Sequence, residues 1–341
     1  MGVCIGAPPS DWVQAFNSHT FTLHSTQFLP QAADPSGASV FGYYKTNAER
    51  GVARIALSNG ALQIISRFQP SASGIISMAF DSPWLIWTRG DSQTSYAAWS
   101  IHAWNQATGE IIDIADSHLP DGSDSYGQLP LVVAGHGIVA WAHPIARYGD
   151  PVVLAELRAY KFDARTQLKI DSGQLSSPVF AGQMLMWPKL VGSQTRFEAV
   201  NADTLKPMQV PPVLENPGPA TYVAGSPDYL LWADSPSRVK AWRVNSTHVS
   251  VYSYTKDIDH RFQFLTASSH FLLWYAGGPS PILDLDTGNG FDVASGGSVI
   301  AAGGIIVKSA FGTPATKGTV ADTRVSYLDT SSVGHITSCS P

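Results

Sequence analysis

Side chains that can carry positive charge recur at one position of a repeated sequence pattern, two residues after the aromatic or apolar residue that ends a short hydrophobic run. The residues at this position are Lys45, Arg89, His143, Lys189, Asp234, Ala276 and Ser309. An arginine can hold a carboxylate with two parallel hydrogen bonds, a lysine attracts it as a point charge, and a histidine titrates close to neutral pH. The pattern therefore predicts a site for an anionic or carboxylated ligand.

A polar loop at residues 144–150 follows the third of these positions and offers further groups to the same site. The predicted ligand-binding residues are Lys45, Arg89, His143, Arg147, Tyr148, Lys189 and Asp234. We expect Arg89 to hold the carboxylate, and protonation of His143 below about pH 6.5 to tighten binding. The alternative is that these residues only mark where strands meet solvent, and it remains open here.

Linear catalytic motifs are absent from the sequence: it has no G-x-S-x-G, H-E-x-x-H, P-loop or C-x-x-C pattern. Residues 284–290 begin like a calcium loop, but Ser295 stands where the bidentate glutamate belongs, and the histidines show no metal-ligand spacing. We therefore expect no metal and no cofactor. A non-catalytic binding module is the first functional hypothesis, and a lyase or hydrolase that gathers its site from several loops is the alternative.

The two cysteines, Cys4 and Cys339, stand at opposite ends of the chain. If the first and last strands of the fold meet, these residues become neighbours and can form a disulfide, which favours an oxidising compartment. Two unrelated free thiols are the alternative. The chain opens without a basic segment followed by an apolar one, so the sequence predicts no signal peptide; a protein made without a leader and one whose leader has been removed both remain open. The predicted disulfide alone leads us to expect an extracytoplasmic or secreted protein.

The elements that must position these residues are short strands in a repeat. Apolar runs end in Trp87, Trp141, Trp187, Trp232 and Trp274, at intervals of 42 to 54 residues. Small Gly- or Ser-rich turns precede these runs, and alternating strands that end in Asn or Asp turns follow them. A spacing of about 40–50 residues is the length of one four-stranded propeller blade. We interpret the recurring tryptophans as packing between blades rather than as a ligand stripe.

Two degenerate copies complete the count, one at residues 39–60 with Tyr in place of Trp and one at residues 304–330 with Val. The prediction is an all-β fold: a single seven-bladed β-propeller of four-stranded blades over residues 18–341, with residues 1–17 taking part in ring closure. Six or eight blades remain open. Equivalent positions then lie on a ring, which would concentrate positive charge over one half of the mouth of the central channel.

On these marks, chiefly the Asp/Asn-x-x-Thr-Gly turn, the chain resembles the seven-bladed bacterial propellers of the YncE, TolB and quinoprotein-like kind. It differs from the quinoprotein repeat, in which a Trp follows that turn, because Glu110, Gln167 and Leu205 stand there. The resemblance therefore implies the fold and a binding role, but not a quinone cofactor.

Composition excludes several classes of partner. Charged residues make up only 14 % of the chain and its net charge is −5, so no basic face is expected to bind nucleic acid. No apolar run reaches the roughly 18 residues of a membrane span. We expect a monomer that binds a small molecule, a glycan or a protein.

Overall fold

The structure, a computed structural model, describes residues 2–93, 97–220, 222–235, 237–253, 264–275, 280–293, 298–314, 316 and 318–337. The chain forms two compact units. The first unit comprises Met1–Arg67 with Thr221–Pro341, and the second comprises Phe68–Ala220.

The N-terminal part of the first unit contains the single α-helix among the described residues, α1 (Ser10–Ser18), and six strands. The strands are β1 (Cys4–Gly6), β2 (Thr20–Leu23), β3 (Gln27–Ala33), β4 (Ser39–Lys45), β5 (Arg50–Ala56) and β6 (Leu62–Arg67). Strands β3 to β6 form an antiparallel sheet in chain order.

The described part of the second unit holds eleven strands. They are β7 (Gly74–Asp81), β8 (Trp84–Gly90), β9 (Trp99–Asn105), β10 (Ile111–Asp116), β11 (Val133–Gly135), β12 (Ile138–Pro144), β13 (Ala155–Lys161), β14 (Thr166–Leu175), β15 (Val179–Ala181), β16 (Met184–Val191) and β17 (Gln194–Asn201). Strands β7 to β10 form one sheet, and β11 to β17 form a seven-stranded sheet. The latter is continuous because β14 pairs with β13 up to Gly173, then pairs through Gln174 and Leu175 with β16.

The C-terminal part of the first unit completes the set of strands. They are β18 (Tyr222–Gly225), β19 (Tyr229–Ser235), β20 (Arg238–Arg243), β21 (Val249–Ser253), β22 (Phe264–Ser268), β23 (Phe271–Tyr275), β24 (Pro281–Asp284), β25 (Asn289–Asp292), β26 (Val299–Ala302), β27 (Ile305–Phe311) and β28 (Thr323–Asp329). Strands β18 to β21 form one sheet. Strands β22 to β25 form a second sheet, and β26 to β28 form a third. One N-terminal strand completes each of these two sheets: β1 lies parallel to β25, and β2 lies antiparallel to β28.

This architecture confirms the all-β prediction. Besides α1, the described residues contain only two three-residue 3-10 turns, Pro212–Leu214 and Thr330–Ser332. No helix among them is long and apolar enough to cross a membrane.

Burial explains why the middle strands of the sheets are rich in apolar residues on both faces. Every residue of β9 and of β12 is buried, whereas β10 alternates between exposed and half-buried residues. A strand with a sheet packed against each face must be apolar on both faces, while an outer strand needs only one.

The recurring tryptophans lie in these middle strands, and Trp141 and Trp274 pack against a neighbouring sheet, as predicted. In the second unit, Trp141 of β12 lies in a cluster with Ile86 and Trp99, which belong to the preceding sheet. Trp187 of β16 packs with Leu157 of β13, and in the first unit Trp274 of β23 packs with residues of the β18–β21 sheet.

Helix α1 covers a neighbouring part of the first unit. Trp12 and Phe16 are buried with Phe271 and Phe291, and the indole of Trp12 lies edge-on to both phenylalanine rings. The sequence predicts that residues 1–17 take part in ring closure but does not predict this helix, and the ring closure stays a prediction.

Candidate functional site

The position that follows each apolar run lies at or near the C-terminal end of a strand in both units. Lys45 ends β4, and Asp234 is the penultimate residue of β19, in the first unit; Arg89 and His143 are penultimate in β8 and β12, in the second. Lys189 lies within β16, Ser309 lies within β27 and is fully buried, and Ala276 lies outside the described residues.

Two of the predicted cations of the second unit are paired with carboxylates. Arg89 Nε donates a hydrogen bond to Asp91. Lys189 Nζ lies 2.8 and 2.9 Å from the two carboxylate oxygens of Asp171, which also accepts a hydrogen bond from the Trp187 indole at 2.9 Å. These carboxylates neutralise the charges that the sequence analysis assigned to ligand attraction.

His143 is a buried neutral imidazole rather than a cation. The residue is 2 % exposed, its Nδ1 accepts a hydrogen bond from Trp141 Nε1 at 3.4 Å, and its ring packs edge-on against Trp99. Desolvation, aided by the charge of Arg158, lowers the pKa of His143 from 6.5 to about 4. The prediction that His143 becomes protonated near pH 6.5 is therefore wrong. The sequence alone did not show that the ring is almost completely buried.

In the loop that follows β12, the predicted ligand-binding residues Arg147 and Tyr148 contact other groups of the protein. Arg147 forms an ion pair with Asp121, and its backbone N–H donates to Asp150 Oδ2 at 2.7 Å. Tyr148 is 87 % exposed and contacts Tyr126 edge-to-face. Within the described part of the second unit, no hydrogen bond or ion pair joins Arg147 or Tyr148 to Arg89, His143 or Lys189.

Asp234 of the first unit is a buried carboxylate with two cationic partners. Its side chain is 1 % exposed, Arg238 Nε lies 2.6 Å away and Lys240 Nζ lies 3.2 Å away. Burial alone would raise the pKa of Asp234, but the hydrogen bonds and charges of Arg238 and Lys240 hold it below its usual range. This arrangement suits a structural ion pair better than contact with a ligand.

Lys45, at the end of β4, borders a cleft. The cleft has a volume of about 430 Å³ and lies between the end of β4 and the loop that joins β27 to β28. Lys45, Asn47, Phe311 and Thr319 contribute to its lining. The backbone N–H of Val320 donates to Asn47 Oδ1 at 2.8 Å, which ties the two walls together.

A hydrogen-bonded Ser–His–Asp chain, which the sequence did not predict, lies on the middle strand β9 and the edge strand β10 of the β7–β10 sheet. Ser100 Oγ lies 2.7 Å from His102 Nε2, and His102 Nδ1 lies 2.6 Å from Asp113 Oδ1. Ser100 and His102 share one face of β9 because side chains alternate along a strand. Asp113 joins them through its register opposite His102, immediately before a bulge in β10. A Ser-x-His pair on a strand was visible in the sequence, but the register that adds Asp113 was not.

The environment of His102 sets its protonation state. An ionised carboxylate can only accept hydrogen bonds, so Nδ1 carries the proton toward Asp113 and Nε2 accepts from the hydroxyl of Ser100. Desolvation lowers the pKa of His102 and outweighs the hydrogen bond that Nδ1 donates to Asp113, which raises that pKa. The imidazole is therefore neutral at pH 7, the form that a general base requires.

The predicted disulfide cannot be followed to both ends, because Cys339 lies outside the described residues. Cys4 begins β1 and lies opposite Asn289 of β25. The Asn289 amide also donates to the carbonyl oxygen of Ile336 at 3.0 Å. The described residues thus bring the C-terminal segment to the residue that pairs with Cys4, and the disulfide itself stays a prediction.

No protein-family model and no curated protein matches this chain. Several solved structures are similar to it in fold. The β-propeller domain of the Trilobed protease from Pyrococcus furiosus aligns at a TM-score of 0.55 and 9 % identity, over 93 % of this chain and 98 % of that one. Oligogalacturonate lyase in complex with manganese aligns at 0.55 and 10 % identity, over 92 % of each chain.

The acylaminoacyl peptidase of Pyrococcus horikoshii aligns at a TM-score of 0.56 and 8 % identity, over 91 % of this chain. The present chain spans only 53 % of that peptidase. At such identities the likeness shows the fold alone. The protein is an all-β protein with a β-propeller arrangement.

Proposed function

We propose that this protein is a ligand-binding propeller that holds a small carboxylated molecule, such as an acidic sugar, in the cleft beside Lys45. One observation carries the proposal: among the described residues, no carboxylate pairs with Lys45, and its side chain borders a cleft of about 430 Å³. Arg89 and Lys189, by contrast, are already neutralised. A cation in a concave site without a carboxylate partner is available to an anionic ligand.

The lining of the cleft supports a small ligand with both a charged and an apolar part. Its volume falls in the range of small-molecule sites, about 300–1,000 Å³. The aromatic ring of Phe311 offers an apolar surface, and Lys45 and the side-chain amide of Asn47 offer polar groups. A sugar acid or a short aliphatic acid presents the matching combination.

The test is to screen acidic metabolites and acidic oligosaccharides, then to measure the best ligand by calorimetry at two salt concentrations. We expect Lys45→Ala to weaken binding about ten- to a hundredfold, because a charge-assisted hydrogen bond contributes about 1.5–3 kcal/mol. Lys206→Ala, which removes an exposed lysine in the other unit, is the matched control and should leave affinity unchanged. An affinity that changes neither with Lys45→Ala nor with the salt concentration would refute the site.

A second candidate, a serine hydrolase, is favoured by the hydrogen-bonded chain of Ser100, His102 and Asp113. In this candidate the Ser100 hydroxyl attacks the carbonyl carbon of an ester or amide while His102 Nε2 takes its proton. His102 then returns that proton to the leaving group, and water releases the acyl group from Ser100. Asp113 keeps the imidazole in the required tautomer. The similar structures include hydrolases and a lyase, which is compatible with this candidate.

Covalent labelling separates the two candidates. A fluorophosphonate probe should modify Ser100, and Ser100→Ala and His102→Gln should each abolish labelling and ester hydrolysis. Ser117→Ala is the matched control. Ser117 is also a buried serine, but its hydroxyl donates directly to the Asp124 carboxylate rather than to an imidazole. If the wild-type protein neither reacts with the probe nor cleaves activated esters, the hydrolase is ruled out and the binding function stands alone.

We also propose that the propeller has seven blades. The described residues form six sheets, of which the seven-stranded one joins β11–β14 to β15–β17 through two residue pairs only. Division of this sheet at Gly173 leaves seven groups of strands, each built on one apolar run. The last group of the second unit lacks a regular fourth strand because Pro207 makes only an isolated bridge to Val200.

The proposed setting is an oxidising, extracytoplasmic compartment, since that is where a Cys4–Cys339 disulfide persists. The register of β1 and the hydrogen bond from Asn289 to Ile336 support this pairing.

A further inference from the structure

Four side chains that commonly bind metals meet at the edge of the β22–β25 sheet where its hairpins turn. They are His270, Asp284, Asp286 and His335. His270 lies in the turn before β23, Asp284 ends β24, Asp286 lies in the turn before β25, and His335 follows β28 near the C-terminus. Chain segments far apart in sequence therefore contribute to one cluster within the first unit.

The donor atoms are close enough for a single ion. One ligand atom from each of the four residues lies within 4.8 Å of the others. His335 Nδ1 lies 3.0 Å from Asp284 Oδ2 and 4.0 Å from Asp286 Oδ2. Tetrahedral nitrogen and oxygen ligands at about 2.0–2.2 Å from zinc lie roughly 3.3–3.5 Å apart, so small side-chain rotations would complete the shell.

Neighbouring groups hold the carboxylates in place. The Tyr229 hydroxyl donates to Asp286 Oδ1 at 3.2 Å, so Oδ2, the oxygen that faces His335, remains available. Asp284 is fully buried and accepts backbone N–H groups from Asp286 at 2.9 Å and from Ile336 at 3.0 Å. Partners of this kind orient ligands and raise metal affinity.

Side chains at the turn between β24 and β25 hold the C-terminal segment beside the cluster. The carbonyl oxygen of Ile336 accepts hydrogen bonds from Thr287 Oγ1 at 2.9 Å and Asn289 Nδ2 at 3.0 Å. His335, the residue before it, is therefore held beside the carboxylates. Its side chain remains half-exposed, so an ion can enter from solvent.

We propose that His270, Asp284, Asp286 and His335 bind a divalent transition-metal ion of the zinc type, which fastens the C-terminal segment to the β22–β25 sheet. Two imidazoles together with two carboxylates favour zinc, cobalt or nickel over calcium and magnesium, which prefer oxygen ligands alone. This site revises the expectation that the chain binds no metal. It is independent of the cleft beside Lys45 and of the Ser100 chain.

The test uses the full chain without a histidine tag, with its thiols oxidised or alkylated so that they cannot bind metal. Zinc alone is titrated by calorimetry, and cobalt(II) is used as a spectroscopic probe. We expect one equivalent to bind with a tetrahedral visible absorption band, and zinc to raise the melting temperature. His335→Gln and His270→Gln should each weaken binding by at least about tenfold.

His248→Gln is the matched control, because His248 is an exposed histidine of the same unit that lies outside the cluster. It should bind zinc as the wild type does. Asp286→Asn keeps the shape of the side chain and tests the site if a histidine variant proves unstable. Absence of stoichiometric zinc binding by the wild type, or equal binding by the wild type and all three cluster variants, would overturn the proposal.

Discussion

At the scale of single residues, the burial of His143 makes the stability of the folded protein depend on pH. Its folded pKa is about 4, whereas an unfolded chain has a histidine pKa of about 6.5. Between these values the unfolded state binds a proton that the folded state does not, so stability is complete above about pH 6.5 and falls as the pH drops toward 4. We expect this residue to remove on the order of 2–3 kcal/mol of stability between pH 7 and pH 4.5.

Denaturant unfolding at both pH values measures this loss. His143→Asn, whose amide oxygen can take the place of Nδ1 as acceptor, should flatten the pH dependence by about that amount, whatever its stability at pH 7. His248→Asn changes an exposed histidine and should leave the wild-type slope in place. His102, whose pKa is also lowered, contributes a residual slope of the same sign. Equal slopes in wild type and His143→Asn would show that the imidazole is not buried as described.

At the scale of elements, one backbone conformation recurs in the turns that end the alternating strands. In five of these turns the fourth residue after the strand has a positive φ: Gly60, Gly109, Arg165, Leu205 and Gly288. Three of these are glycines, which adopt this conformation without strain. Arg165 and Leu205 have a side chain where the left-handed region costs about 1–2 kcal/mol.

Substitutions at two equivalent turns of the second unit should therefore have opposite signs. Nothing lies within 4 Å of a Cβ built on Gly109, so Gly109→Ala tests conformation alone and should destabilise by about 1 kcal/mol. Arg165→Gly should stabilise by about 0.5–1 kcal/mol, because relief of the left-handed strain outweighs an exposed ion pair with Glu110 that contributes about 0–1 kcal/mol. Chemical denaturation measures both, and a loss of stability in both variants would contradict the interpretation.

At the scale of the whole molecule, the predicted disulfide joins residues 335 positions apart in sequence. The loop-entropy relation gives an upper bound of about 5–6 kcal/mol for such a closure. Mass analysis of unreduced, digested protein should find the peptides of Cys4 and Cys339 linked, and reduction should lower the melting temperature. The double variant Cys4→Ser/Cys339→Ser should melt like the reduced wild type and should not respond to reductant. Labelling of both thiols in protein from an oxidising compartment would disprove the bridge.

Much of the fold follows from sequence because its signals are local. A tryptophan-ended apolar run every 42 to 54 residues predicts a buried middle strand, and each such run is a strand in the structure. The turn at Asn105 is equally local: its side chain accepts the backbone N–H groups of Ala107 and Thr108, and Gly109 takes the left-handed conformation. Strand period and turn chemistry depend only on neighbours in sequence, so one chain suffices to predict them.

The chemistry of the sites was decided by tertiary structure. Composition and spacing placed Lys45, Arg89 and Lys189 at strand ends, but the pairing of Lys189 with Asp171 depends on a strand register that the sequence does not encode locally. The same holds for Asp113, which reaches His102 only through the register of β9 with β10. His335 meets Asp284 across about fifty residues of chain because the C-terminal segment packs on a distant turn. A side chain's type determines which interactions it can make, whereas its charge state and partner depend on burial and register, which arise only when the sheets pack together.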